Sequence, residues 1–371
     1  MFKLKLKGKD NTVSLRKWLA VLFFLLSPYF VSCSDRIDFQ KALFFVQNGQ
    51  LYKVYSTEND LSEEIDINNI KKETVTVKTS IFQKSNVKLL PREITTVEEH
   101  YVLARDSQYN RLLLLNSEGK LLYSKKFEAG LVFMNEKFLV SQTSSFEGNE
   151  GFKFKMYRIN LNLSKKVFSL EKLWEGKLDC FVSDTVFYDK GVFVAGGTRD
   201  DSEHMVYNIF ENEDQTYSIT KCFTVPKNMS FLRIIASDTG KDEEPKVYAF
   251  LSSGNKSVCN KSVYSLDYKN NKYDELDLSF PDNFSRFFGY GFCYNDKLII
   301  PASRGDGIHF ISLDYSGKSY SVCENITGCI LPVGLLNGKY IYISKDPEKP
   351  GQFYGVSMYD GKSVTNLFSL N

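Results

Sequence analysis

The amino-acid sequence predicts an all-β fold, a β-propeller of four-stranded antiparallel blades. Three observations carry this prediction. A unit of short apolar strands and polar turns returns roughly every fifty residues, as in blade repeats. Asn337-Gly338 and Asp360-Gly361, dipeptides that favour hairpin turns, stand at the first and second turns of the seventh copy. No long segment shows the 3.6-residue apolar period of a helix. Seven copies predict seven blades, with six or eight as alternatives.

The sixth copy shows the elements of one blade in order. Phe288–Tyr294 is apolar and predicts the first strand, and Asn295-Asp296 is a turn dipeptide. Lys297–Ser303 predicts the second strand. After a Gly-containing loop, Ile308–Asp314 alternates as a third strand, and Ser319–Cys323 closes the unit. Four strands joined as a meander make one blade.

The third strands of the seven copies align with one another. The first copy is the weakest match, because Arg36–Phe39 is a poor first strand, and ring closure would let this copy borrow a strand from the chain end. The aligned positions are Tyr52, Leu113, Tyr157, Tyr207, Tyr264, Ile311 and Val356.

The first residues of the chain predict a targeting segment. A lysine-rich start precedes an apolar run at Trp18–Leu26, which is the pattern of a secretory signal. Cys33 follows at the expected cleavage point, after the small residue Ser32. This segment resembles the lipobox of bacterial lipoproteins, although Phe30 stands where leucine is usual. We expect a signal peptide at 1–32 and a single propeller domain at 33–371.

The lipobox resemblance implies that Cys33 is lipidated and becomes the mature N-terminus. A diacylglycerol and an acyl chain such as palmitate would exceed the two signals needed for stable membrane anchoring. Cys33-Ser34-Asp35 is also similar to surface-export signals of Bacteroidetes, and this implies the outer membrane, either periplasmic or surface-exposed. Two alternatives stay open: an ordinary secreted protein with a chance cysteine, and an uncleaved anchor helix.

The remaining cysteines predict little chemistry. Cys323 and Cys329 are close in sequence, on a connector between two blades, and are the candidate disulfide in an exported chain. No C-x-x-C pair occurs and no histidine lies near a cysteine pair, so no metal site is expected. The others are interpreted as small buried apolar side chains.

Charged residues recur in the loop between the second and third strands. In a meander blade these loops share one face of the propeller, and loops on a rigid scaffold commonly carry function. We therefore expect a binding face there; the alternative is a solvated ring of weak ion pairs. The predicted binding residues are Arg105, Asp106, Arg199, Asp200, Arg304, Asp306, Lys345 and Asp346.

The sequence contains few candidate catalytic residues. His100, His204 and His309 occupy unequal positions in the repeat, and neither a nucleophile elbow nor a phosphate loop is present. We expect no cofactor and no metal. With 47 basic and 45 acidic side chains among 371 residues, the net charge of +2 does not favour nucleic acid.

The hairpin rhythm of NRLLLLNSEGKLLYSKKF resembles propeller lipoproteins of Bacteroidetes, which implies an envelope binding or accessory role. The sequence thus predicts a monomeric, lipid-anchored binding or scaffolding module for a protein or glycan partner. Two alternatives are kept. One is an envelope carbohydrate-active enzyme with acidic residues converging in the propeller channel. The other is an accessory factor for outer-membrane assembly.

Overall fold

The computed structural model contains strands and connecting loops. It describes residues 42–47, 49–57, 69–78, 87–98, 100–146, 151–200, 202–227, 229, 231–237, 245–252, 261–276, 284–287, 289–305, 307–314, 320–326, 329–336, 338–345 and 353–369. Within these ranges no residue belongs to an α-helix, and no helix is long and apolar enough to cross a bilayer.

Seven antiparallel sheets follow one another along the chain, and each is one blade whose strands pair in sequence order. The strands of blades 1 and 2 are β1 (Ala42–Gln47), β2 (Gln50–Ser56), β3 (Ile70–Val75), β4 (Leu89–Val97), β5 (Tyr101–Asp106), β6 (Arg111–Asn116) and β7 (Leu121–Lys126). Blades 3 and 4 contain β8 (Leu131–Met134), β9 (Phe138–Phe146), β10 (Phe152–Asn162), β11 (Val167–Leu178), β12 (Phe181–Tyr188), β13 (Gly191–Gly197), β14 (His204–Glu211) and β15 (Tyr217–Thr224).

The last three blades repeat this order. Blade 5 contains β16 (Phe231–Ala236), β17 (Val247–Ser252), β18 (Lys261–Asp267) and β19 (Lys272–Glu275). Blades 6 and 7 contain β20 (Phe284–Phe287), β21 (Phe292–Tyr294), β22 (Lys297–Arg304), β23 (Gly307–Asp314), β24 (Tyr320–Ile326), β25 (Cys329–Leu336), β26 (Lys339–Lys345), β27 (Phe353–Tyr359) and β28 (Val364–Ser369). The predicted seven-bladed propeller is confirmed.

Seven apolar clusters hold the ring together, one between each pair of neighbouring blades. Each forms because alternate strand residues point to opposite faces of a blade, so both faces of a sheet carry buried side chains. The cluster that closes the ring joins Phe45 and Val54 of blade 1 to Ile341, Ile343 and Val356 of blade 7. Packing of the first strands β1 and β25 against each other accompanies it.

Two details differ from the expected repeat. Blade 1 has three strands in the described part of the chain, and Tyr52 lies in the second of them rather than in a third strand. The last strand of the chain, β28, does not complete blade 1 as ring closure would allow, because it pairs with β27 of blade 7. In blade 6 only the end of the predicted first strand Phe288–Tyr294 is a described strand, β21, and β20, which precedes the predicted range, also pairs with β22. The other six aligned positions lie in third strands, as predicted.

The turn chemistry explains the short connections. Asn295 and Asp296 have φ values of 46° and 58°, and they join β21 to β22 as a two-residue hairpin turn. Positive φ at both central positions is the type I′ arrangement, whose twist matches that of the strands. Gly49, Gly338 and Gly361 also have positive φ at hairpin turns. These turns lie on the face opposite the longer loops between second and third strands.

Candidate binding face

The four predicted charged loops lie on one face of the propeller. Each connects the second to the third strand of a blade: β5 to β6, β13 to β14, β22 to β23 and β26 to β27. Since every blade is an antiparallel meander ordered from the axis outward, these connections leave the ring on the same side. We call this side the loop face. It also receives the beginnings of the first strands.

In blade 2 the structure corrects the expectation of exposed charges. Arg105 and Asp106 are 4% and 0% exposed, because both still belong to β5 and pair with β6. The Arg105 guanidinium contacts the Glu93 carboxylate at 2.6 Å and also donates to the carbonyl oxygens of Gly130, at 3.4 Å, and Ala129. Burial raises the pKa of Glu93, and Arg105 opposes this. This pair is structural.

Asp106 holds the loop that follows β5. Its carboxylate accepts hydrogen bonds from the backbone N–H groups of Lys88 at 3.2 Å and Gln108 at 3.1 Å, and from Nε of Arg111 at 3.0 Å. The Arg111 guanidinium lies 5.1 Å from the ring centroid of Tyr109, which is 55% exposed. The exposed side chain of this loop is therefore Tyr109, with Arg111 beside its ring, and sequence reasoning missed both. In the sequence, only the turn at Tyr109-Asn110-Arg111 indicates that these side chains lie in a loop.

Blade 4 presents its loop differently. Arg199 and Asp200 lie beyond the end of β13 and are exposed. The Asp200 carboxylate accepts hydrogen bonds from the hydroxyls of Thr198 at 2.7 Å and Ser202 at 2.8 Å. These bonds hold the pKa of Asp200 down at about 2. The backbone N–H of Thr198 donates a hydrogen bond to the backbone carbonyl oxygen of Glu203 at 2.8 Å, which closes the loop. Asp200 therefore fixes the loop on which Arg199 projects.

The remaining predicted residues lie in blades 6 and 7. Arg304 is the last residue of β22, is half-buried, and its guanidinium lies 6.0 Å from the ring centroid of Phe284. Lys345 ends β26, but its side chain lies outside the described part of the structure, as do Asp306 and Asp346. For these three residues the binding role stays a prediction.

Apolar side chains also reach the loop face. Leu90 and Phe181 stand near the beginnings of the first strands β4 and β12 and are 37% and 45% exposed. The Phe181 ring packs edge-on against Phe152, the first residue of β10, at 5.6 Å between centroids. Exposed aromatic side chains such as Phe181 are enriched in protein interfaces. Sequence reasoning missed both because each reads as an ordinary strand residue.

The first strands carry two described carboxylates, Glu93 on β4 and Asp184 on β12, and each joins its blade to the next. Glu93 accepts a hydrogen bond from the N–H of Val132 in β8, and Asp184 accepts one from Ile234 in β16 at 3.2 Å. Between them, the Gln142 amide oxygen accepts the N–H of Val182 at 3.0 Å. At three successive junctions a side-chain oxygen thus satisfies an edge N–H of the following blade.

The histidines and cysteines are dispersed. His100, His204 and His309 belong to blades 2, 4 and 6, and the described residues contain no group of three His, Cys, Asp or Glu side chains placed to hold a metal. Cys180 and Cys222 are free and buried, and burial raises the pKa of both thiols to about 12. The side chains of Cys323 and Cys329, like all of Cys33, lie outside the described part, so the disulfide and the lipid stay predictions.

Neither a protein-family model nor a curated protein sequence matches this chain. Solved structures do. Prolyl oligopeptidase B from Galerina marginata is similar at a TM-score of 0.53 and 9% identity, covering 98% of this chain and 56% of that one. An acylaminoacyl peptidase from Pyrococcus horikoshii is similar at 0.50 and 9% identity, covering 89% and 53%.

A putative 6-phosphogluconolactonase from Bacteroides fragilis is similar at a TM-score of 0.48 and 12% identity, covering 90% of this chain and 96% of that one. This chain therefore spans about half the length of the peptidases. At such low identity the likenesses to the two peptidases show the fold alone. The class that sequence and structure define is a seven-bladed β-propeller.

Proposed function

We propose that the chain is a bacterial envelope protein, anchored by lipid on Cys33, whose propeller binds a protein or glycan partner through the loop face. The observation that carries the proposal is that the connections between second and third strands leave the ring on one side, where Arg199 and Asp200 are exposed and Arg304 is half-buried. The proposal gives Cys33 the role of anchor, so that the propeller acts next to the outer membrane.

The loop of blade 4 supports the proposal best. The bonds from Thr198 and Ser202 to Asp200 fix its backbone before any partner arrives. A preordered loop loses less conformational entropy on association, so more of the contact energy appears as affinity. Arg199 stands on this loop, and Tyr109 and Phe181 are exposed on the same face. Arginine and tyrosine are enriched among the residues that dominate binding energy.

The binding face is tested by reversing Arg199→Glu and Arg304→Glu together in the full chain. The matched control, Lys165→Glu with Lys190→Glu, makes the same charge change on turns of the opposite face. Binding is measured to membrane vesicles of the source bacterium that lack the endogenous protein. We expect about a tenfold loss for the first pair only, and weaker wild-type binding as salt shortens the Debye length below about 8 Å. Equal binding by both variants would exclude the loop face.

The anchor is tested separately. Cells fed labelled palmitate should incorporate label into the wild-type chain, and Cys33→Ala should abolish incorporation and detergent-phase partitioning. Cys293→Ala is the control, because that thiol lies within the propeller and donates a hydrogen bond to the carbonyl oxygen of Ala236 at 2.9 Å. Absence of label from the wild-type protein would refute the anchor and leave the loop face untouched.

A further inference from the structure

The chain enters the propeller on the loop face. In blade 1, β1 and β2 pair antiparallel, with Gln47 opposite Gln50 and Ala42 opposite Tyr55. The turn after Gln47 therefore lies on the face opposite the loops, and Ala42, at the other end of β1, lies at the loop face. Strand β1 also packs against β4 and β25, the first strands of the two neighbouring blades, so it belongs to the inner ring. The entry point is thus close to the propeller axis.

The proposed lipid on Cys33 is tied closely to this entry point, and the inference that follows rests on that part of the proposed function. Only residues 34–41 separate Cys33 from Ala42. A peptide chain advances at most about 3.6 Å per residue, so the anchor lies within roughly 32 Å of the beginning of β1 in any conformation of the connection. The same limit holds for the distance between the membrane surface and the centre of the loop face.

The opposite face lies beyond this reach. To turn that face to the bilayer, the connection would have to cross a blade from the axis to the rim and then follow the blade to its far end. The four strands of a blade, about 4.8 Å apart, add roughly 14 Å, and the seven residues of β13, at about 3.3 Å each, add roughly 23 Å. This path of roughly 37 Å exceeds the reach of roughly 32 Å. A route through the centre would thread the chain through its own ring, which protein folds avoid.

We propose that the anchor holds the loop face toward the membrane, and that the partner is a protein embedded in that same membrane. The charges of the loop face favour a protein over the lipid surface itself. Asp200 is exposed, and its pKa of about 2 keeps it negative at physiological pH. Asp179, just before β12, has a side chain that is 54% exposed. Surfaces that bind anionic lipids are instead dominated by lysine and arginine. Phe181, in the same blade, is exposed and of a residue type enriched in protein interfaces.

The orientation is measured with the lipidated protein in vesicles of phosphatidylethanolamine and phosphatidylglycerol that carry an acceptor dye on some headgroups. A donor dye is coupled to an azido amino acid that replaces either Arg199, on the loop face, or Lys190, on the turn between β12 and β13 of the same blade. Energy transfer should place the donor at 199 nearer the membrane by roughly 20 Å, the length of β13. Equal distances, or a shorter one at position 190, would overturn the orientation and leave the anchor standing. A protein that does not insert at all would refute the anchor, and this inference with it.

Tether length supplies a matched control. About twenty Gly and Ser residues inserted between Asp35 and Arg36 extend the reach well beyond the path around the ring. The difference in distance between positions 199 and 190 should then fall to less than about half. The same insertion added after Asn371 lengthens the chain without lengthening the tether, so the difference should stay unchanged. An equal response to both insertions would show that the tether does not set the orientation.

The nature of the partner is tested with Cys33→Ala, because lipid insertion would otherwise mask the contact. Its binding to vesicles of the source membrane that lack the endogenous protein is compared with binding to protein-free vesicles of the extracted lipids. We expect at least about tenfold tighter binding to the source vesicles, and loss of that binding after their exposed proteins are digested.

Two outcomes would overturn the protein partner: equal binding to the lipid vesicles, or binding that survives the protease and is lost after periodate oxidation of sugars. Reversal of Arg199 and Arg304 in the Cys33→Ala protein separates these outcomes from failure of the proposed function. If that reversal leaves binding to the source vesicles unchanged, the loop face is not the binding surface, whereas the orientation measured in lipid vesicles does not depend on it.

Discussion

Blades 2 and 4 carry the same Arg-Asp pair near the same point of the repeat, yet the two pairs differ in their exposure to solvent. Arg105 and Asp106 are buried, whereas Arg199 and Asp200 are exposed. Strand length accounts for the difference. In blade 2 the second strand continues through Asp106, while in blade 4 it ends at Gly197. The same dipeptide therefore serves the interior in one blade and the surface in the other.

The acidic partners also differ. Glu93 on the neighbouring strand β4 receives the Arg105 guanidinium at 2.6 Å, away from solvent. In blade 4 the loop's own hydroxyls satisfy Asp200. The buried Arg105 is held in one geometry by Glu93, whereas Arg199 is exposed on a loop that Asp200 holds. The Arg-Asp dipeptide thus marks the position of the loop in the repeat. Whether its side chains are buried or exposed depends on where the second strand ends.

The largest effect that tests the comparison is the removal of Arg105. We expect Arg105→Leu to lower the free energy of unfolding by about 3–5 kcal/mol, because Glu93 is then buried without its cation. Arg199→Leu should cost about 0.5 kcal/mol or less. Urea unfolding followed by fluorescence measures both. Adding Glu93→Leu to Arg105→Leu should recover much of the loss. Equal midpoints for the two single variants would refute the structural assignment of Arg105.

The second prediction concerns the two aspartates. Asp106→Ala removes the acceptor for Lys88, Gln108 and Arg111, and we expect a loss of about 1–3 kcal/mol in unfolding free energy. Asp200→Ala should lose less, since water reaches the donors of its exposed loop. Parallel urea titrations measure the difference. A larger loss for Asp200→Ala would reverse the ranking of the two loops.

Much of the fold followed from the sequence because strand period and turn chemistry are local. Asn295-Asp296 predicted its hairpin, and the repeat length predicted the seven blades. The loop face also followed, because it depends only on strand order. The exposure of individual side chains did not. Burial of Arg105 depends on Glu93, twelve residues earlier on another strand, and on the connector oxygens of Ala129 and Gly130.

The same limit explains the groups that were missed. Tyr109 and Phe181 look like any loop and strand aromatic in the sequence, and only the assembled ring leaves them exposed. The cluster of Lys153, Lys172 and Glu175 on blade 3 likewise forms only because the register of β10 and β11 brings these side chains together. Side-chain constellations across strands are set by register and twist, which no dipeptide pattern encodes.

The third prediction uses pH to separate the acids of the two blades. The pKa of Asp200 is lowered to about 2 by hydrogen bonds, so its contribution to stability is present above its ordinary value near 3.8 and is lost as pH falls toward 2. The pKa of Glu93 is raised by burial, so its contribution is greatest below pH 4.5 and declines as pH rises through the raised value.

Carboxyl carbon NMR titration of the full chain measures both values. Thr198→Val should move the pKa of Asp200 upward and leave that of Glu93 unchanged, because the hydroxyl of Thr198 donates only within the blade 4 loop. Titration of both acids at their ordinary values would remove the electrostatic basis of the comparison.

The smallest effect comes from a third loop, in blade 6, which is intermediate between the other two. Arg304 is half-buried with its guanidinium over the Phe284 ring, an arrangement worth about 0.5–1 kcal/mol at partly exposed sites. Arg304→Ala should therefore lower the unfolding free energy by about that amount, more than Arg199→Ala and far less than Arg105→Leu. Arg304→Lys, which keeps the charge but loses the planar stack, should lie between Arg304→Ala and the wild type. If Arg304→Ala instead matches Arg199→Ala within error, the contact between Arg304 and the Phe284 ring adds nothing measurable to the free energy of unfolding. The partial burial of Arg304 would then not make its loop intermediate between those of blades 2 and 4.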